Sequence, residues 1–246
     1  MEANDPFGGA ATCRDGVRLL AFSAFIVFLH AVLSALPALA EELLRLRFTP
    51  LESIAPAMLG TAAASAALLA RLGADWRTAL ADWKRKFPDD LLKALKYFGG
   101  YVLLAAAIAV VLSGLWLLLG DHGMKTLLQP VSAPAAREGV ILRKVAAVSP
   151  WRLLPSLLTA CVLSPLAEEL FFRRVLFASL RASRGFWYSA GCSAAFFALF
   201  HGAAAPLMLP VGLYFCWVYE KERRLPVNVM MHAMVNLVMM GNRMLG

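Results

Sequence analysis

The strongest constraint on this chain is a succession of apolar runs, several of them as long as a bilayer is thick. Residues 19–40, 53–70, 97–119, 153–180, 186–205, 207–219 and 227–240 are predominantly hydrophobic. A helix needs about 20 such residues to cross a hydrocarbon core of about 30 Å. Within lipid every backbone N–H and C=O must find its partner inside the segment, and a helix does this for a single span. The chain is 60% hydrophobic with a mean hydropathy of +0.66, whereas a soluble domain is nearer half apolar. The expectation is an all-α, polytopic transmembrane helix bundle of about seven spans. Residues 1–246 form one membrane domain, with no internal repeat.

The connections carry the charge. The net charge is +8, but the basic residues cluster between apolar runs, at 71–96, 181–184 and 221–224. That placement fits loops facing anionic headgroups, so the lipid bilayer is the expected partner and nucleic acid is not. Trp76, Trp83 and Phe87 among the Lys and Arg of 71–96 predict a short interfacial helix. Residues 120–150 read as a long polar connection with a weakly amphipathic patch at 140–148. The first run follows Arg14 and Arg18 and ends in an Ala-Leu-Ala that resembles a signal-peptidase site. It is longer than a signal core of about 7 to 15 residues, so a retained helix is expected. Cys13, Cys161, Cys192 and Cys216 form no C-x-x-C pair and read as small buried hydrophobes.

The fourth run contains Glu168-Glu169-Leu170-Phe171-Phe172-Arg173-Arg174. An ionised side chain at mid-bilayer costs about 2.5 to 3.5 kcal/mol on insertion scales, so two acids there need partners or a wet cavity. Glu169 and Arg173 are spaced i, i+4 and can pair on one helix face. Glu168 points about 100° away, with Phe172 at i+4 and Ser164 at i−4. The spacing suggests a structural carboxylate, Glu169, and one free to work, Glu168; the competing reading is a salt-bridge cluster of both acids with Arg173 and Arg174. Pro165 should kink this helix.

Two later runs add polar groups. Phe197 and His201 close the fifth, and His232 and Asn236, again i, i+4, share one face of the seventh. His30, in the first span, reads as a hydrogen-bonded core residue. At about 1.5 Å per residue, Glu168, His201 and Asn236 lie roughly 18, 22 and 15 Å from helix ends on one side of the membrane. They can therefore meet near one level.

E-E-x-x-x-R, F-x-x-x-H and H-x-x-x-N, in this order over about residues 153–240, closely resemble the CPBP family. That family comprises the type II CAAX prenyl endopeptidases and bacteriocin-processing enzymes, the glutamic-type intramembrane proteases. The resemblance implies that 153–240 are catalytic helices. It further implies that Glu168 and His201 hold the attacking water, that His232 and Asn236 donate to the oxyanion, and that Glu169 and Arg173 orient Glu168. One departure stands out: the family often has Gly after the motif Arg, where this chain has Arg174, a second cation that bears on substrate choice.

The expected function is an intramembrane endopeptidase acting on a membrane-anchored protein or peptide, with no cofactor. Zinc held by one Glu and two His is the rival chemistry, but H-E-x-x-H is absent and Asn236 is a poor zinc ligand, so no metal is expected. The competing functions are a non-catalytic immunity or scaffold protein on the same fold and a proton-coupled transporter. A transporter also buries Glu and His, but more often shows inverted repeats. Ala- and Arg-rich composition suggests a bacterial inner-membrane protein. With seven spans, one side of the membrane carries 16 Lys or Arg and the other 8, which puts the N-terminus in the cytoplasm and the C-terminus outside.

Overall fold

In a computed structural model the chain is a bundle of eight helices among the described residues, which are Phe7 and residues 12–245. They are α1 (Gly16–Leu44), α2 (Pro50–Arg71), α3 (Trp76–Arg85), α4 (Phe87–Val148), α5 (Pro150–Arg181), α6 (Phe186–Leu199), α7 (Gly202–Glu222) and α8 (Leu225–Leu245). Five of them, α1, α2, α4, α5 and α7, are long and apolar enough to cross a membrane. The other two expected spans are α6, of 14 residues, and α8, of 21 residues, which carries Asn228, His232, Asn236, Asn242 and Arg243. Leucines, valines and tryptophans stand exposed along the outside of the bundle, the distribution that a lipid solvent requires.

Local chemistry sets the boundaries. Asp15 caps α1 by accepting from Val17 and Arg18 N–H. Thr49 and Glu52 form a reciprocal capping box at the start of α2. Asp75 caps α3 by accepting from Arg77 and Thr78 N–H; this is the interfacial helix expected from its tryptophans. Phe7 packs edge-on against Trp76 and Trp83.

Three departures from the sequence reading matter. First, residues 121–148 are helical rather than a polar connection. The chain breaks at Gly120, where φ 67° and ψ 179° suit only glycine, and then resumes as the second half of α4 against α8. There Glu138 pairs with Arg243 at 2.6 Å, and Arg143 donates to the Arg243 carbonyl at 2.8 Å. Second, α5 is not a regular helix around Pro165: it widens to i→i+5 bonding over Thr159–Leu163 and again over Glu169–Phe177. Third, the fifth run stops early. α6 ends at Leu199, and Gly202, at φ 55°, turns the chain into the next helix. Of the cysteines, Cys13 and Cys216 are buried as expected, Cys161 is half-buried, and Cys192 is exposed on the outer face of α6.

The basic connections gather at one end. Arg224 lies between Asp82 of α3, at 2.7 Å, and Asp90 of α4. Arg181 and Arg223 share Glu220, and Lys93 reaches Glu222 at 2.7 Å. This network ties the ends of α3, α5 and α7 to the start of α4. Burial pushes the Asp82 carboxyl up, but hydrogen bonds from Arg224, Arg85 and Lys86 outweigh it and hold the pKa at about 2.

Candidate active site

Glu168 ends a stretch of ordinary α-helix in α5 and Glu169 opens the second wide turn, and the two part company there. Glu169 is fully buried. Its Oε2 faces Arg173 Nε at 3.2 Å and accepts from Asn228 Nδ2 at 3.3 Å, while its Oε1 lies 2.9 Å from His232 Nδ1. The Arg173 guanidinium, itself fully buried, sits over the rings of Phe197 and Phe215 at 4.7 and 5.2 Å. A desolvated cation gains about 2 kcal/mol from such faces. Glu169 with Arg173 is therefore a neutral, buried pair clamped between α5 and α8. Its direct contact is with His232, not with Glu168.

Glu168 faces the other way. It lines a cavity of about 540 Å3 together with Ser164, His201, His232 and Asn236. Its Oε2 lies 3.9 Å from His232 Nε2 and has no hydrogen-bond partner in the protein. Glu168, His201, His232 and Asn236, expected from sequence to act together, thus border one cavity, while Glu169 and Arg173 stand behind it.

The helix end at α6 orients His201. Its backbone N–H turns to the Ala198 carbonyl, so the Phe197 carbonyl loses its ordinary i+4 donor. His201 Nδ1 meets that carbonyl at 2.9 Å. A carbonyl only accepts, so Nδ1 carries the proton and Nε2 is left with a lone pair. The i, i+4 relation of F-x-x-x-H is this hydrogen bond.

Asn236 is held in a comparable way. Ser164 N–H bonds to the Thr159 carbonyl across the first wide turn. In that register the donor for Ala160 would be Pro165, which has no N–H. Asn236 Nδ2 supplies it instead, at 2.7 Å. One amide hydrogen is committed there, and the second is free to reach the cavity.

Other residues fall differently from the sequence reading. Arg174 is buried with its guanidinium over the Phe7 ring at 4.8 Å and does not line the cavity. His30 packs edge-on against Phe200 at 5.3 Å. Asn228 went unnoticed, although its i−4 spacing from His232 was visible. It is fully buried, bridging Glu169 and the Phe215 carbonyl. The second half of α4, read from sequence as a polar connection, walls the cavity with Pro130, Pro134 and Glu138. Among the described residues no three His, Cys, Asp or Glu side chains come together as a metal site.

With this geometry in view, similarity to known proteins falls on the same helices. Residues 150–238 match the family model described as type II CAAX prenyl endopeptidase Rce1-like. The matched stretch is thus similar to the family whose motifs it resembles. It contains α5, α6, α7 and most of α8, and with them every side chain of the Glu168 constellation. A curated relative, "Putative membrane peptidase YdiL" of Bacillus subtilis (strain 168), is 26% identical over 82 residues. That alignment takes in 32% of this chain and 34% of the relative, so the chain spans about a third of that relative's length. No solved structure matches the chain.

Proposed function

We propose that this chain is a membrane-embedded, glutamic-type endopeptidase that hydrolyses a peptide bond of a membrane-associated protein or peptide. The observation that carries the proposal is the position of Glu168. It is a carboxylate without a protein hydrogen-bond partner, facing a cavity inside an apolar bundle, with His201, His232 and Asn236 around it. Membrane peptidase activity is also what the family match and the name of the bacillary relative suggest.

Each group has a chemical task that its contacts permit. Water bound at Glu168 and His201 gives a proton to the Glu168 carboxylate as its oxygen attacks the scissile carbonyl carbon. His201 Nε2, the free lone pair, accepts the water's other hydrogen and aims it. The carbonyl oxygen becomes an oxyanion, which the free Asn236 N–H and His232 Nε2–H stabilise. Removing one such donor typically costs about 100- to 1,000-fold in rate. Because Nδ1 donates to Glu169, donation from Nε2 requires a proton on both ring nitrogens. The C–N bond then breaks, and Glu168 returns its proton to the leaving amine. Glu169, Arg173 and Asn228 act through His232 by fixing its ring.

The cavity also suits a substrate with an apolar anchor. A second cavity of about 450 Å3, lined by Ile108, Val111, Leu128 and Pro206, shares Val131 and Ala203 with it. The test uses purified protein. Membrane proteins solubilised from cells carrying Glu168→Gln are incubated with wild-type or Glu168→Gln protein, and new peptide termini are read by mass spectrometry. Termini produced by the wild type alone are expected; identical sets from both would sink the reading.

A further inference from the structure

We propose that Ser164 is a further catalytic residue, donating its hydroxyl to the same water that Glu168 deprotonates; this rests on the peptidase reading above. The case begins with what serines do in apolar helices, where the hydroxyl ordinarily bonds back to the carbonyl one turn earlier. Ser113, Thr126 and Ser189 all do so, at 2.9 to 3.0 Å. Ser156 and Ser193 find partners on other helices. Ser164 does neither: its Oγ is buried and has no hydrogen-bond partner in the protein.

The reason lies in the first wide turn of α5. The carbonyl one turn before Ser164 is that of Ala160, and Asn236 already donates to it. The hydroxyl is left without a protein partner, and Ser164 is one of the residues that line the Glu168 cavity. Residues Ser164–Glu168 are the short stretch of ordinary α-helix between the two wide turns, so the pair at i, i+4 shares one face. Two buried polar atoms without protein partners, Ser164 Oγ and Glu168 Oε2, thus belong to residues one turn apart that line one cavity. Ser23, Thr61 and Ser65 also lack partners, but none borders this cavity. A water oxygen there accepts from the Ser164 O–H with one lone pair, while its hydrogens go to Glu168 and His201 Nε2. Its second lone pair remains for attack. Proton transfer to Glu168 leaves the serine bond intact, so it also supports the nascent hydroxide.

The experiment compares wild type, Ser164→Ala, Ser164→Thr and Glu168→Gln in the purified-protein terminus assay, with thermal unfolding of each in the same detergent. Losing one positioning hydrogen bond should slow the appearance of Glu168-dependent termini about tenfold in Ser164→Ala. The threonine variant, which keeps the hydroxyl, should stay near wild type. Unfolding of Ser164→Ala should be unchanged or shifted upward, because a buried hydroxyl without a protein partner has been removed. Wild-type rates in Ser164→Ala, or a loss of rate that follows a drop in thermal stability and is not rescued by threonine, would overturn the assignment. If no termini depend on Glu168 at all, the peptidase reading falls first and the serine role with it.

Discussion

Asn236 donates to the carbonyl of Ala160 at 2.7 Å, replacing the N–H that Pro165 lacks. A proline, a wide turn and an amide on another helix are thus one feature, and it joins α8 to α5 beside the cavity. Asn236→Ala should leave that carbonyl without a donor and cost about 1 to 3 kcal/mol of stability, in addition to the lost oxyanion donor. Denaturation in mixed micelles measures the first effect and the terminus assay the second. A variant as stable as wild type would break the link between the proline and the amide.

The two glutamates should fail differently. Glu168→Gln should retain the wild-type unfolding midpoint and lose activity. Glu169→Gln should lower yield and stability, because Arg173 would remain buried without its counter-charge, a loss of about 3 to 5 kcal/mol when one partner of such a pair is removed. Expression level and thermal unfolding separate the two; equal stability of both variants would contradict the division of labour.

Metal independence is a third expectation, from the ligand chemistry of the site: His232 Nδ1 is committed to Glu169 and Asn236 to Ala160. Dialysis against a strong chelator should leave the rate of cleavage unchanged. Loss of activity with recovery on stoichiometric Zn2+ would show the opposite.

Acid should loosen the charged end of the bundle. The Asp82 pKa is lowered from 3.8 to about 2. A carboxylate depressed on folding contributes stability that is complete above its unfolded pKa and is lost as pH falls through its folded one. The melting temperature should therefore drop between about pH 4 and pH 2, and Asp82→Asn should flatten that slope while lowering stability at neutral pH. A wild-type slope in the variant would remove Asp82 from the account.

The relation of the two glutamates was legible because the helix period writes it directly: Glu169 and Arg173 are four apart, and Glu168 is not in line with them. The partnership of His232 with Glu169 was not, since it crosses from α8 to α5 and no spacing encodes it. Asn228 lay within reach, one turn before His232. The second half of α4 was read as a loop because Gly120, Pro130 and Pro134 punctuate it. Tertiary contact overrode those signals: the segment packs on α8 and is fastened there by Glu138 and Arg243. The early end of α6 was hidden by Ala203, Ala204 and Ala205, which continue the apolar run past the turn at Gly202.

Orientation rests on the 16-to-8 distribution of Lys and Arg. A phosphatase fused at the C-terminus should be active outside the cytoplasm, and one inserted near Lys86 should be silent. The reverse pattern would invert the molecule in the membrane without altering the cavity.

The most direct test of the central claim, that Glu168 activates water to cut a membrane-associated substrate, is quantitative proteomics of membranes from cells carrying either wild-type protein or Glu168→Gln. At least one membrane-associated protein or peptide should accumulate in a longer, uncleaved form with the variant and be restored by the wild-type chain. Membrane proteomes with the same set of termini in both strains, at matched levels of the two proteins, would contradict it.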